Sequence, residues 1–257
     1  KLMSINMELM KKKLASLRGE GGNENSVWFK PQEGEQVVRI IPTPDGDPLK
    51  EMFFHYNVGD HKGGIVCPKR NFGDRCPVCE FASSVWKEAV ATNDEEAKKL
   101  AKSLFVRARY FSPVVLRGSE EEGIKFYGYG KRAYELLLGY ILDPEYGDIT
   151  DTLEGTDITL VYTKPTSPGA YPQTSLKMRR NTSTLLEDQD AIPALLDRMP
   201  DFDSLFERLS PEEIDAILDE QLAGDLSAET RSSETGRYNV DTQNPVDKAF
   251  DELMATK

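Results

Sequence analysis

All three cysteines of this 257-residue chain fall within one short segment, HKGGIVCPKRNFGDRCPVCEF. Cys67, Cys76 and Cys79 have the spacing C-x8-C-x2-C, in which the C-x2-C pair presents two thiolates from one tight turn. Zinc takes four ligands in a tetrahedron and accepts imidazole as readily as thiolate. The chain has two histidines, His55 and His61, and both lie just upstream. The spacing therefore predicts one structural Zn2+ ion, bound by the three cysteines and one histidine, that organises a segment poor in apolar residues.

Two other cysteine chemistries are possible for this segment. CPVC before a helical pattern resembles a redox-active dithiol, but KRNFGDR rather than a strand precedes it. A zinc deaminase requires H-x-E and P-C-x-x-C, whereas neither histidine is followed by x-Glu and Arg75 precedes Cys76. Four protein ligands would also leave no position for a catalytic water. We therefore expect a structural site, and a protein that is not an enzyme.

The overall composition limits the class of protein. With 39% hydrophobic and 9% aromatic residues, the chain can form a substantial core. It contains no run of about 18 apolar residues, so we expect no membrane span. The first residues lack the apolar stretch of a signal peptide, so we expect an intracellular protein with reduced thiols.

The net charge of -12 is unevenly distributed along the chain. Residues 1–186 hold 26 Lys+Arg and 25 Asp+Glu, whereas residues 187–257 hold 6 and 19. Such an asymmetry is typical of a basic binding body with an acidic tail, although a solvated helical tail without a function fits equally well.

The hydrophobic pattern predicts a mixed fold with a mainly β core. Strand-like runs such as SVWFK, QVVRIIP, EMFFHYNV, TDITLVYTK and TSLKMRR alternate with turns, and helical patterns lie between some of them. No regular βαβ alternation occurs, so the fold class is α+β or mainly β, an OB-fold (Greek-key barrel) core with inserted helices. We expect a basic N-terminal arm (1–22), a core (23–208) with a zinc subdomain (about 51–103), and an acidic C-terminal tail (209–257).

Three segments are predicted to be helical on specific signals. EFASSVWKEAVA and DEEAKKLAKSL follow the cysteines, with Asn93 or Asp94 as the N-cap of the second. In KRAYELLLGYIL we expect Leu136, Leu137 and Tyr140 or Ile141 to point inward. Further helix starts are predicted at Ser204 and at Ser210, the latter in the sequence SPEE.

Several strand-like segments mix cations with aromatic residues. In LFVRARYFS, Phe105, Arg107, Arg109 and Phe111 alternate with the other residues and are expected on one face. Such a face suits single-stranded nucleic acid, because cations bind phosphates and rings stack on bases. Ordinary cross-strand aromatic pairing is the alternative. The predicted DNA-binding residues are Lys69, Arg70, Phe72, Phe105, Arg107, Arg109, Tyr110, Phe111, Lys125, Tyr127, Tyr129, Lys131, Arg132, Tyr171, Lys177 and Arg179.

Together, these stretches resemble the single-stranded DNA-binding (helix-destabilising) proteins of T-even-type phages. The resemblance rests on QVVRIIPTPDGDPLKEMFFHYNV, the His…Cys…Cys-x-x-Cys spacing, RARYFSPVVL and IKFYGYGKRAYELL, roughly within residues 1–190. It implies an OB-fold with a structural Cys3His zinc site, and its spacing selects His55 over His61. It also implies a protein of DNA replication, recombination and repair in the cytoplasm of the infected bacterial host.

The resemblance further implies partners for the two ends of the chain. A basic arm would serve cooperative self-association on DNA, here through Lys11, Lys12 and Lys13, and the acidic tail would recruit replication and recombination proteins. The arm departs from the family pattern because Leu14 follows the three lysines instead of Ser or Thr. The tail ends in LMATK rather than in acidic residues. The alternative function is a zinc-ribbon replication or transcription accessory factor that binds mainly protein.

Overall fold

The computed structural model describes residues 27–59, 64–165, 167 and 172–233. The predicted arm with its three lysines, His61 and Tyr171 lie outside these residues. Predictions that fall on them stay predictions. Within the described ranges, no helix combines the length and the apolar character that a membrane span needs.

The chain divides into two compact units, which we name by their main features. The sheet unit comprises Lys1–Glu51 and Tyr110–Phe202, and the cysteine unit comprises Met52–Arg109 and Asp203–Lys257. Each unit is therefore built from two separate segments of the chain, and the segments of the two units alternate along the sequence. The arm, core and tail boundaries expected from the sequence stay predictions.

Eight strands are formed by the described residues. They are β1 (Trp28–Phe29), β2 (Gly34–Ile40), β3 (Lys50–His55), β4 (Ile65–Val66), β5 (Arg107–Leu116), β6 (Lys125–Tyr129), β7 (Thr156–Thr163) and β8 (Gln173–Thr182). The sheet unit is built on the order β1-β6-β5-β2-β7-β8. Its neighbouring strands are antiparallel, except for the parallel pair β1 and β6.

The predicted strands QVVRIIP and TDITLVYTK are confirmed as β2 and β7. Val38 lies opposite Ile158, and Ile40 lies opposite Val114 on β5. These β-branched residues are buried, as is Leu160 on β7. Branched side chains favour a pleated, buried surface, which is why these runs become the centre of the sheet.

The fold class is confirmed in its coarser form, a mixed fold with a mostly β core and several helices. The barrel expected from the sequence is not confirmed. Among the described strands, β1 and β8 end the order and do not pair with each other, so the sheet is not closed.

The sheet unit contains a buried charged centre that sequence reasoning did not find. Arg39, in the middle of β2, is fully buried. Its Nε donates to Asp157 Oδ1 over 2.8 Å, and its terminal nitrogens donate to the Asp151 carbonyl and to Ser183. Burial lowers the pKa of Arg39, and Asp157 opposes that effect. The guanidinium thus stays charged because the chain surrounds it with acceptors.

Two further residues complete this centre. Arg117 donates to the same Asp157 oxygen over 2.9 Å and to the Thr184 carbonyl over 2.8 Å. A Cβ on Gly155 would lie 2.7 Å from an Arg39 nitrogen and 2.2 Å from the Asp151 carbonyl oxygen. A glycine is therefore required where the backbone passes the buried guanidinium.

The α-helices of the described residues are α1 (Pro68–Phe72), α2 (Pro77–Thr92), α3 (Glu95–Leu104), α4 (Lys131–Leu142), α5 (Ile192–Leu196) and α6 (Pro211–Ser233). Short 3-10 helices cover Glu120–Glu122, Gln189–Ala191 and Asp203–Leu205, so the helix predicted to start at Ser204 is a single short turn. Between α2 and α3, the structure distinguishes the two predicted caps. Asn93 ends α2 in the left-handed region with a φ of 57°. Asp94 is the N-cap of α3, because its carboxylate accepts the backbone N–H groups of Glu96 and Ala97.

Helix α4 confirms the predicted bounds but not the predicted inner face. Leu137 is its buried residue, whereas Leu136 is 39% exposed. Tyr140 packs edge-on against Tyr146 with the ring centroids 5.2 Å apart. One leucine, rather than a broad stripe, therefore anchors this helix.

Helix α6 begins within the predicted tail. Its start is the predicted one: the Ser210 hydroxyl accepts the Glu213 N–H, and the Glu213 carboxylate accepts the Ser210 N–H. Ile214 and Leu218 are buried in the apolar core of the cysteine unit. The first turns of α6 are thus part of a folded unit.

Candidate metal centre and nucleic-acid interface

Four elements of the cysteine unit bring His55 and the three cysteines together. His55 ends β3, where it pairs with Ile65 of β4. Cys67 follows β4 and is the N-cap of α1, and its N–H donates to the Phe53 carbonyl over 2.9 Å. Cys76 is the N-cap of α2, and Cys79 lies in the first turn of that helix.

The four side chains form one compact cluster. Their ligand atoms lie within 4.8 Å of one another. His55 Nε2 is 3.3 Å from the Sγ atoms of Cys76 and Cys79, and Cys67 Sγ is 3.6 Å from Cys79 Sγ. Zinc–sulfur and zinc–nitrogen bonds of about 2.3 and 2.0 Å in a tetrahedron place ligand atoms about 3.5–3.8 Å apart. The donor set and its spacing fit one metal ion of the zinc type.

The tautomer of His55 follows from a hydrogen bond on the far side of the ring. Nδ1 lies 2.8 Å from the Leu104 carbonyl oxygen, which can only accept, so Nδ1 carries the proton. Nε2 is then directed at the sulfurs. A histidine ligand held in this way by a backbone carbonyl is typical of protein metal sites.

The side chains of the cluster also shift one another's pKa values. Burial alone lowers the pKa of His55, but hydrogen bonds to Cys67 and Cys76 outweigh it and raise the pKa to about 10. Hydrogen bonds from Cys76 and Cys79 hold the pKa of Cys67 below its ordinary value. The imidazole and the thiols thus interact strongly, and a metal ion would bind their deprotonated forms.

The surroundings of the cluster differ from the sequence expectation. Cys67 and Cys76 belong to an apolar core that includes Phe81, Val85 and Leu104. The sequence predicts a segment that lacks a core of its own, whereas Ile65, Val78 and Phe81 of the segment are buried together with residues of α2, α3 and α6. Those helices keep the ligands dry on one side.

Helix α6 is also tied to the cysteine segment by polar contacts. Arg75, directly before Cys76, pairs with Asp215 over 2.8 Å and also with Glu80. The Gln221 side chain accepts the Gly59 N–H over 2.8 Å. Helix α6 thus contacts the residue before Cys76 and the chain just after β3.

Several predicted DNA-binding residues of the cysteine unit are exposed. Lys69 and Arg70 lie on α1 at the surface, and the Arg70 guanidinium is 4.5 Å from the centroid of the Phe53 ring. Phe72 is 41% exposed, with the Arg208 guanidinium 4.0 Å from its centroid. Such pairs place cations and ring faces side by side.

The predicted face of LFVRARYFS does not exist as one surface. Phe105 ends α3 and packs against Trp86, with centroids 5.8 Å apart. Arg107 and Arg109 open β5 and are exposed, whereas Phe111 is buried. The expectation of one shared face is wrong because the chain passes from a helix end into a buried strand within these residues.

Tyr56 is a candidate that sequence reasoning missed. Burial raises the pKa of this phenol, while the nearby guanidinium groups of Arg109 and Arg107 act to lower it. Gly64, with a φ of 82°, lets the backbone pack on the ring, since a Cβ there would lie 2.8 Å from Tyr56 Cε1. The charges of Arg107 and Arg109 act on Tyr56 through the folded chain, and the sequence does not indicate this interaction.

In the sheet unit, the structure separates the predicted cations from the predicted rings. Lys125 is half-buried and pairs with Glu122. The exposed cations are Lys131, Arg132, Lys177 and Arg179. The buried rings are Tyr110, Phe111, Tyr127 and Tyr129, each at most 7% exposed. Base stacking on these four rings stays a prediction that would require repacking.

The comparisons with known proteins agree with this arrangement. No curated protein matches the chain. The profile of the family described as gp32 DNA binding protein like matches residues 32–222, which is most of the chain and includes all four residues of the metal cluster. The chain therefore belongs to the gp32-like family of single-stranded DNA-binding proteins.

Proposed function

We propose that this protein is a non-enzymatic single-stranded DNA-binding protein that coats DNA during phage replication, recombination and repair. The observation that carries the proposal is the family match over residues 32–222. The phage setting, the bacterial cytoplasm and an OB-fold for the sheet unit belong to the same proposal.

Exposed cations supply the electrostatic part of the proposed binding. Lys69, Arg70, Arg107 and Arg109 are exposed in the cysteine unit. In the sheet unit, the exposed cations include Lys131, Arg132, Lys177, Arg179 and Arg180. Each phosphate they neutralise releases counterions, so affinity should fall steeply with salt.

Aromatic residues supply selectivity for single strands in this proposal. Phe72 offers an exposed ring next to the Arg208 guanidinium, and the charges of Arg107 and Arg109 act on the half-buried Tyr56. The bases of a duplex are already stacked and cannot use such rings, so binding favours the single strand and destabilises the duplex.

The metal cluster has a structural role in the proposal. His55, Cys67, Cys76 and Cys79 would hold one zinc ion. The ion supplies no reaction; it links β3, β4 and α2, and so holds α1 with its exposed Lys69 and Arg70.

Binding to oligo-dT and to a duplex of equal length, measured from 50 to 400 mM salt, tests the function. We expect preference for the single strand and a linear loss of log affinity with log salt, with a slope of about -0.7 per phosphate contact. The zinc-ribbon alternative predicts weak binding to oligo-dT even at low salt. That result, obtained with zinc-loaded protein, would reject the proposal.

The two ends of the chain are proposed to act on this binding. Lys11, Lys12 and Lys13 would support self-association on DNA, and the acidic segment would compete with DNA and recruit partner proteins. Residues 187–233 contain 14 acidic and 3 basic residues, whereas residues 234–257 contain 5 and 3. Most of the acidity therefore lies on residues that the structure describes.

A deletion that tests the acidic segment has to respect α6. Removing residues 211–257 would also remove Ile214 and Leu218 from the core of the cysteine unit. Deleting 234–257 keeps them and changes the net charge by only 2. If competition comes from the acidic residues of 187–233, this deletion should leave affinity at low salt within about twofold.

A further inference from the structure

Three tyrosine rings of the sheet unit lie nearly parallel. Tyr110 and Tyr129 are partners across the β5–β6 pair, with centroids 6.4 Å apart and planes inclined by 19°. Tyr134, in the first turns of α4, lies on Tyr110 with centroids 3.9 Å apart and planes inclined by 11°. Tyr110 thus links a ring of the sheet to a ring of the helix.

The three rings differ in exposure. Tyr129 is 4% exposed and its hydroxyl bonds to Ser112 over 2.7 Å. Tyr110 is 6% exposed, whereas Tyr134 is only half-buried. Tyr134 is therefore the outer ring of the group, and the two inner rings hold its plane in place.

Cations lie next to the outer ring on the same helix. Lys131 precedes Tyr134 by three residues, a spacing that makes two side chains neighbours on a helix surface. Its side chain is 77% exposed and lies 3.5 Å from the carboxylate of Glu135, which is itself 60% exposed. Arg132 is also exposed. A nucleotide on Tyr134 would have phosphate partners within one turn.

Acidic groups also face these rings. The pKa of Tyr134 is raised by burial first, and then by the charges of Glu51 and Asp47. The phenol therefore stays neutral at ordinary pH. Because the surroundings are not uniformly basic, DNA would bind at this position through the ring rather than through local positive charge.

We propose that Tyr134 is a platform on which one base of the single strand stacks, with Lys131 beside it for a phosphate. This inference rests on the proposed DNA-binding function and adds a residue that sequence patterns did not identify. The near-parallel stack on Tyr110 fixes the ring before DNA arrives, so little side-chain freedom is lost on binding.

Tyr140 on the same helix provides a matched comparison. It is also half-buried, but it meets Tyr146 edge-on, with planes inclined by 74°. It therefore lacks the parallel support that Tyr134 has.

The test uses the full-length, zinc-loaded chain with oligo-dT carrying a single 2-aminopurine. The variants are Tyr134→Leu, Tyr134→Phe and Tyr134→Trp, with Tyr140→Leu and Lys131→Gln as comparisons. Affinity, its salt slope, quenching of the base analogue and the melting temperature are measured. Leucine still covers Tyr110 but offers no ring, whereas phenylalanine and tryptophan keep one.

We expect Tyr134→Leu to weaken binding about 5- to 150-fold and to reduce quenching, with an unchanged salt slope. Tyr134→Phe, Tyr134→Trp and Tyr140→Leu should bind like the unchanged chain. Lys131→Gln should instead reduce the salt slope by about the contribution of one phosphate contact.

Two results would overturn the inference. One is that Tyr134→Leu leaves affinity and quenching unchanged, whether or not its melting temperature falls. Tyr134 would then only shield Tyr110 from solvent. The other is an equal loss in Tyr140→Leu. If the unchanged chain itself fails to bind oligo-dT, the proposed DNA-binding function is wrong. If it binds but Tyr134→Leu has no effect, only the stacking role of Tyr134 is wrong.

Discussion

The two units of this protein each contain a buried polar centre, but they complete it differently. In the sheet unit, Arg39 has its acceptors in Asp157, Ser183 and a backbone carbonyl. In the cysteine unit, His55 and three cysteines surround a space suited to one metal ion. The first centre is complete from the chain alone, whereas the second has the donor set for one ion from outside.

The two centres contribute to the free energy of unfolding in different ways. A buried guanidinium stays charged only if acceptors of the chain replace water, so its partners are folded with it. A metal ion binds the folded ligands more tightly than the unfolded chain, so the difference in its binding energy stabilises the folded unit. We therefore expect the cysteine unit to depend on metal concentration and the sheet unit not to.

The largest effect should come from the metal ligands. Cys76→Ser or a strong chelator should remove about 10 kcal/mol of metal-binding energy from the cysteine unit. Metal analysis should show loss of one zinc, and hydrogen exchange should show loss of protection in α2 and α3 but not in β2 and β7. His55→Ala should behave like Cys76→Ser, while His61→Ala should keep the ion; full zinc content in His55→Ala would contradict the site.

The next effect should come from the charged centre of the sheet unit. Asp157→Asn leaves Arg39 and Arg117 without their shared carboxylate and should lower the free energy of unfolding by about 3–5 kcal/mol. Urea unfolding in saturating zinc measures the loss. Zinc content should not change. A loss below about 1 kcal/mol would mean that water reaches the centre and that the contrast between the units is weaker than described.

A smaller effect should come from the contact of α6 with the cysteine unit. Ile214→Ala removes a fully buried side chain and should cost about 2–5 kcal/mol, depending on how far the site relaxes. Urea unfolding of the zinc-loaded chain measures it. Glu220→Ala, exposed on the same helix, should stay within about 0.5 kcal/mol. Equal effects of the two changes would show that α6 is not packed in solution.

The smallest effect should come from an exposed ion pair. Arg75 bonds Glu80 and Asp215, but its side chain is 45% exposed. Arg75→Gln should therefore cost less than about 1 kcal/mol, because exposed pairs gain little in water. Urea unfolding of this variant and of Asp157→Asn compares the stability that an exposed ion pair and a buried ion pair contribute. A cost as large as that of Asp157→Asn would remove burial as the explanation.

Much of the metal centre could be predicted from the sequence because its signal is local. Cys76 and Cys79 share one helix start, and Cys67 lies nine residues before Cys76. The choice between His55 and His61 came from the family resemblance. The structure brings His55 into the cluster, while His61 lies outside the described residues.

The nucleic-acid residues were less accessible to prediction because exposure depends on tertiary packing. Alternation of Arg and Phe in LFVRARYFS suggested one face, but Phe111 is buried while Arg107 and Arg109 are exposed. The position of Tyr134 on Tyr110 depends on how α4 returns to β5, which no local pattern reports.

Local sequence patterns predict most of the strands, the start of α6 and the spacing of the metal ligands, since hydrophobic periodicity, capping and cysteine spacing act over a few residues. Tertiary contacts instead bury Arg39, place α6 in the core of the cysteine unit, and set which rings remain at the surface. The physical reason is that burial, and the hydrogen bonds that compensate it, are properties of contacts between distant parts of the chain. Arg39 and Asp157 are 118 residues apart, and Arg75 and Asp215 are 140 apart.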